Sequence, residues 1–149
     1  MSRTLTAGVS AETRRTPRIN PDASADVVAG LWISVARVYG IASRYQKRAD
    51  ALRQTRDLLG DPRYREHPGR EAAEQRADKW RWELRQLDLE VTPTRRALAR
   101  QWDMLPAHII QFLRLEGGWP EAETGKDMAA GLWQQAIIGG AMPRGECPF

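Results

Sequence analysis

Between Ala23 and Leu59, apolar residues recur at alternating steps of three and four: Val28, Leu31, Val35, Val38, Ala42, Tyr45, Ala49, Leu52 and Leu59, broken only at Arg56. This is the heptad seam of a helix with one narrow apolar stripe. Helical throughout, the segment is a rod about 50 Å long. A stripe of that length cannot be left to water, so it requires another helix, from this chain or from a second copy. Asp22 or Ser24 suits the N-cap, and Gly60 with Asp61-Pro62 marks the stop.

A second seam answers the first. After the loop from Gly60 to His67, Pro68 suits a first helical position, and Ala73, Ala77, Trp80, Leu84, Leu87 and Val91 again alternate by four and three up to about Glu90. The shared period predicts a long antiparallel helical hairpin over residues 23–91. In that hairpin Leu52 lies near Ala77, Ala49 near Trp80 and Ala42 near Leu87, small against large. The second helix is the shorter, so the turns around Leu31, Trp32 and Val35 extend past it. Trp82 falls off the seam, between Arg81 and Glu83. These four are the candidate contacts between copies of a homo-oligomer.

Thr92-Pro93 reads as a fresh start, cap and first helical residue, for a short helix TRRALARQW. A turn at Asp103-Met104-Leu105 and Pro106 leads into AHIIQFLRLE, closed by Gly117-Gly118. Residues 92–118 therefore fit a helix-turn-helix-like unit, with Leu98, Trp102, Met104, Ile109 and Phe112 inside and the small Ala99 at the crossing. Asp103 stands where glycine is usual. Residues 119–149 hold a final helix, capped by Asp127 and ended by Gly139-Gly140, and an irregular tail. The expected fold is all-α: a long antiparallel helical hairpin, a helix-turn-helix-like pair and a C-terminal helix.

The charge narrows the partners. Of 23 basic residues among the 149, 20 are arginine; residues 1–115 carry net +7 and residues 116–149 net −3. Arginine on a positive body suits phosphate. Residues 1–22 have no apolar period and carry Arg3, Arg14, Arg15 and Arg18, as a disordered basic arm does. A lone Cys147 offers no disulfide. Nothing resembles a signal peptide or an apolar run of membrane length, so a soluble, cytoplasmic protein is expected.

No catalytic set emerges. His67 and His108 lack acidic or cysteine partners at metal spacing, and there is no phosphate loop, nucleophile elbow or isolated carboxylate pair. We expect no enzyme activity, metal or cofactor. What remains is a nucleic-acid candidate set. Arg95, Arg96 and Arg100 suit phosphate positioning from the first short helix, while His108, Gln111 and Arg114 face a major groove from the second.

The order of features resembles the small terminase subunit of tailed double-stranded DNA phages. One branch of that family has a His-Pro pair before its second helix and a Leu-Gly-Leu-Thr-Pro-x-x-Arg segment after it. The counterparts are His67-Pro68 and Leu89-Glu90-Val91-Thr92-Pro93-Thr94-Arg95-Arg96, with Glu90 in place of glycine. The similarity covers roughly residues 25–100. It implies a non-catalytic packaging factor that binds double-stranded viral DNA, assembles into rings through helical hairpins, and regulates a large subunit bearing ATPase and nuclease. The acidic C-terminal segment would then face that partner. The residues alone also allow a helix-turn-helix transcriptional regulator, or a helical structural subunit of a nucleoprotein complex.

Overall fold

A computed structural model of the chain describes residues 21–115 and 117–144. The basic arm read at residues 1–22 and the thiol of Cys147 thus lie almost wholly or wholly outside the described residues. Within them every regular element is helical: α1 is Pro21–Gly60, α2 Arg70–Asp103, α3 Ala107–Leu115 and α4 Gly125–Ile137, with a short 3-10 turn at Pro62–Tyr64. Asp22 and Ser24, expected as caps, both fall inside α1.

The first seam goes inward as its period demands. Val28, Leu31, Val35, Val38, Ala42 and Leu52 are buried. α1 and α2 run side by side in opposite directions, tied by Ser34 Oγ to Gln101 Oε1 at 2.9 Å, by Arg44 to Glu90, and by Arg48 to Glu83 at 3.0 Å. Gly30 admits the Gln101 amide, which would lie 3.0 Å from an added Cβ. At the connection Asp61 accepts from the Arg63 amide and guanidinium, and that hydrogen bonding holds its carboxyl below the usual range.

The second helix is longer than its seam predicts. It starts at Arg70 rather than Pro68, with Gly69 at the cap, and it does not stop at Val91. Thr92-Pro93 is not a helix start: α2 passes through both residues. Proline inside a helix forfeits one backbone hydrogen bond and costs about 3 kcal/mol. Apolar burial around the proline offsets that cost. Leu87, Val91, Leu98 and Trp102 are buried on either side of it, and Thr92 Oγ1 donates back to Asp88 O at 2.8 Å instead of capping forward.

The C-terminal part covers the end of α1 that the sequence leaves unpaired. Met128, Ala129, Leu132, Trp133 and Ala136 of α4 join Val28, Leu31, Val35, Val38 and Ile41 in one core with the second half of α2. Leu31 and Val35 are fully buried inside the chain and offer no surface to a second copy. Trp32 packs on Trp119, which in turn packs on Trp102, at centroid distances of 5.2 and 5.0 Å. Of the four expected interface residues only Trp82 stands in solvent, at 56% exposure. α1 reaches a mean hydropathy of 1.4 over 18 residues, enough by length and composition to cross a membrane and contrary to the sequence expectation. Its Val28, Leu31, Val35, Val38 and Ile41 belong to the core shared with α2 and α4, while Ile33 is 55% exposed.

Two anchors fix α4. At its start, Thr124 rather than Asp127 is the cap, accepting from the Asp127 amide, and Gly125 lies so close to α2 that an added Cβ would sit 2.1 Å from the Ala99 carbonyl. At its end, Gln46 donates to the carbonyls of Ala136 and Ile137, and Gln135 reaches Tyr39, Gly118 and Ala141. Burial raises the hydroxyl pKa of Tyr39 despite the Gln135 bond. It also raises that of Tyr45, with the charge of Asp88 adding to it.

Gly125→Ala should therefore destabilise the fold by about 1–3 kcal/mol through overpacking, whereas Gly40→Ala, with nothing within 4 Å of the new methyl, should add about 1 kcal/mol; denaturant melts of the two variants check both signs. Both tyrosines have folded pKa values above the ordinary value of about 10, so their contribution is complete below that pH and is lost as pH climbs through the raised values. The melting temperature should fall on the alkaline side of pH 10, and less steeply in a Tyr39→Phe/Tyr45→Phe variant.

Candidate nucleic-acid interface

α2 carries Arg95, partly exposed beside the buried line of Val91 and Leu98, and Arg96 and Arg100 on the side away from that line. The start of α4, drawn in at Gly125, brings Lys126 alongside them. The result is an open groove of about 500 Å³ with Arg95, Arg96, Arg100 and Lys126 around it, and Thr92, Ala99 and Ala129 completing its walls.

The groove concentrates positive charge. Ion pairs among the described residues join Arg44 to Glu90, Arg48 and Lys79 to Glu83, Arg53 to Asp50, Arg63 to Asp61 and Arg81 to Asp78, and none engages the four groove cations. Lys126 also stands in the first turn of α4, where the helix dipole adds positive potential. Two acids lie near: Asp127 follows Lys126 in the first turn of α4, and Asp103 accepts from the Gly125 amide at 2.8 Å. That bond explains an aspartate where the turn pattern wants glycine. Four unpaired cations over small side chains can bind phosphate oxygens with charge-assisted hydrogen bonds.

The six residues singled out in the sequence do not form one surface. Arg95, Arg96 and Arg100 share the groove with Lys126. Arg114 and Gln111 line a different groove, of about 350 Å³, with Leu115. His108 and Gln111 are exposed on α3, as a groove-reading helix requires. Arg114 is turned back: its guanidinium lies 5.8 Å from the Trp102 ring centroid and donates to the Ala122 carbonyl.

Two details of the helix-turn-helix pattern also shift. Met104 and Phe112, expected inside, are 51% and 37% exposed, and their neighbours Leu105 and Leu113 are buried in their place. Ala99, expected where the two short helices cross, meets Gly125 of α4 instead. Lys126 was not legible as a site residue, because its position depends on how α4 docks on α2. The one hint was the small Gly125 beside it.

No protein-family model, curated protein or solved structure matches this chain. Among the described residues no three His, Cys, Asp or Glu side chains come together as a metal site.

If Arg114 serves the fold, Arg114→Ala should cost about 0.5–1 kcal/mol through loss of its cation–π interaction. Gln111→Ala, at a solvent-facing position, should stay within about 0.5 kcal/mol of the parent. Chemical denaturation of the two variants makes the comparison.

Proposed function

We propose that this chain is a non-catalytic, DNA-binding oligomeric subunit that holds the phosphate backbone in the groove between α2 and α4. The observation that carries this reading is the convergence of Arg95, Arg96, Arg100 and Lys126 on one open groove, none of them in an ion pair among the described residues. Binding of this kind is electrostatic and indifferent to base sequence.

The resemblance to small terminase subunits gives the reading its biological form: recognition of viral DNA and regulation of a large packaging subunit. Two features support it. α1 and α2 form the kind of antiparallel helical pair that such subunits use for assembly. The segment Leu89 to Arg96, which bears the family-like motif, includes two of the groove arginines.

A second reading, a transcriptional regulator, is favoured by α3. It follows the end of α2 after a short turn at Met104–Pro106, in the chain order of a helix-turn-helix, and it presents His108 and Gln111 outward. Against it stand the inward turn of Arg114 and the apolar Leu115, 85% exposed on the same helix.

The test is binding to a labelled duplex across a salt series. Neutralising Arg95, Arg96, Arg100 and Lys126 to alanine should lower the dependence of log affinity on log salt by about 3–4, near one for each phosphate no longer neutralised. Binding should weaken similarly on every duplex sequence. An unchanged slope sinks the groove as the DNA site. Loss of sequence preference on Gln111→Ala alone moves the assignment to the regulator.

A further inference from the structure

The outer side of α2 has no cover among the described residues. Ala73, Ala77, Leu87 and Val91 turn toward α1, and directly opposite them runs a strip that is solvent-exposed along the helix. At 100° per residue its members recur by three and four, as the members of a packing seam do. The strip is ordered by type. Glu71, Gln75 and Asp78 lie at its N-terminal end, Trp82, Leu89 and Pro93 in the middle with the exposed Arg85 along one edge, and Arg96 and Arg100 at its C-terminal end. Trp82 and Leu89 are 56% and 67% exposed. Two large apolar side chains seven residues apart on one line of a helix are unusual in open water.

We propose that a second copy of this chain covers this strip, with α2 lying antiparallel on the partner's α2 about a two-fold axis. The charge order selects that occupant. An acidic end, an apolar centre and a basic end along one line are complementary to the same line reversed. With the axis beside Arg85 and Gln86, Trp82 meets the partner's Leu89, and Leu89 meets the partner's Trp82. Arg100 then faces the partner's Glu71, and Arg96 comes beside the partner's Asp78. A parallel arrangement would instead bring acid onto acid and arginine onto arginine.

Asp78 already accepts from Arg81 of its own chain at 2.8 Å. That exposed pair is weak, and a carboxylate has lone pairs for a second guanidinium. Arg96 and Arg100 also border the phosphate groove. Each guanidinium has five donors, enough to serve a carboxylate on one side and a phosphate on the other. The contact is closed and isologous, so it builds assemblies in even numbers, whether a single pair or a larger ring of pairs. It stands apart from the DNA reading, because assembly is measured without nucleic acid.

The experiment is mass measurement of the full chain over a concentration series in low salt. Even-numbered species are expected, with an association that weakens as salt rises. Trp82→Glu, at an exposed position that leaves helix content by circular dichroism unchanged, should weaken association at least about tenfold, as loss of a central interface tryptophan does. Glu71→Arg and Arg100→Glu should each weaken it, and the two combined in one chain should restore it, because the exchanged charges at these two facing positions are again opposite across the contact. A monomer at all concentrations, an unchanged association in Trp82→Glu, or a double variant no better than the weaker single variant would overturn the proposal.

Discussion

The closeness of α4 to α2 at one point governs the C-terminal half of the molecule. Gly125 sits against the Ala99 carbonyl, where any side chain would collide, and its amide is held by the Asp103 carboxylate. From that contact α4 lies along both long helices, its Met128, Leu132 and Trp133 closing the stripe that α1 presents. The same approach carries Lys126 to the α2 arginines. One steric allowance thus serves the core and the charged groove together, since a helix displaced by a methyl group would lose packing density and spread the cations at once.

The polar and aromatic contacts around this junction divide the work. Gln46 and Gln135 satisfy carbonyls at the far end of α4 and in the segments that return beside it, groups that would otherwise be buried or frayed without partners. Trp119, in the connection between α3 and α4, inserts between Trp32 and Trp102 and seals the near end. Its indole N–H has no partner among the described residues. Packing area rather than hydrogen bonding places that residue. Arg114 extends the stack over Trp102 while remaining exposed, so this contact and its bond to Ala122 engage the α3 cation best suited to read a base.

Much of the candidate site was legible, in pieces. Arg95, Arg96 and Arg100 are close neighbours in sequence, and helical spacing alone puts them near one another. Lys126 is 26 residues beyond Arg100, and no local pattern links them. The interface residues divide for a related reason. Leu31 and Val35 lie on a seam that had to be covered, but the seam cannot say by what. Trp82 lies off the seam that faces α1, and that position leaves it exposed within the chain.

The sequence by itself determined the helical class, the two long seams and the arginines of α2, because a 3.6-residue period and turn residues such as Gly60, Asp61 and Pro62 act over a few residues at a time. Only the tertiary structure decided the rest. Whether Thr92-Pro93 begins a helix or sits inside one depends on burial of Leu87, Val91, Leu98 and Trp102 against other segments, worth more than the missing proline bond. Whether Ala99 receives α3 or α4 depends on which helix can bring a glycine to it. A local signal names the residues that can make a contact; the packing of distant segments, limited by volume, selects the one that is made.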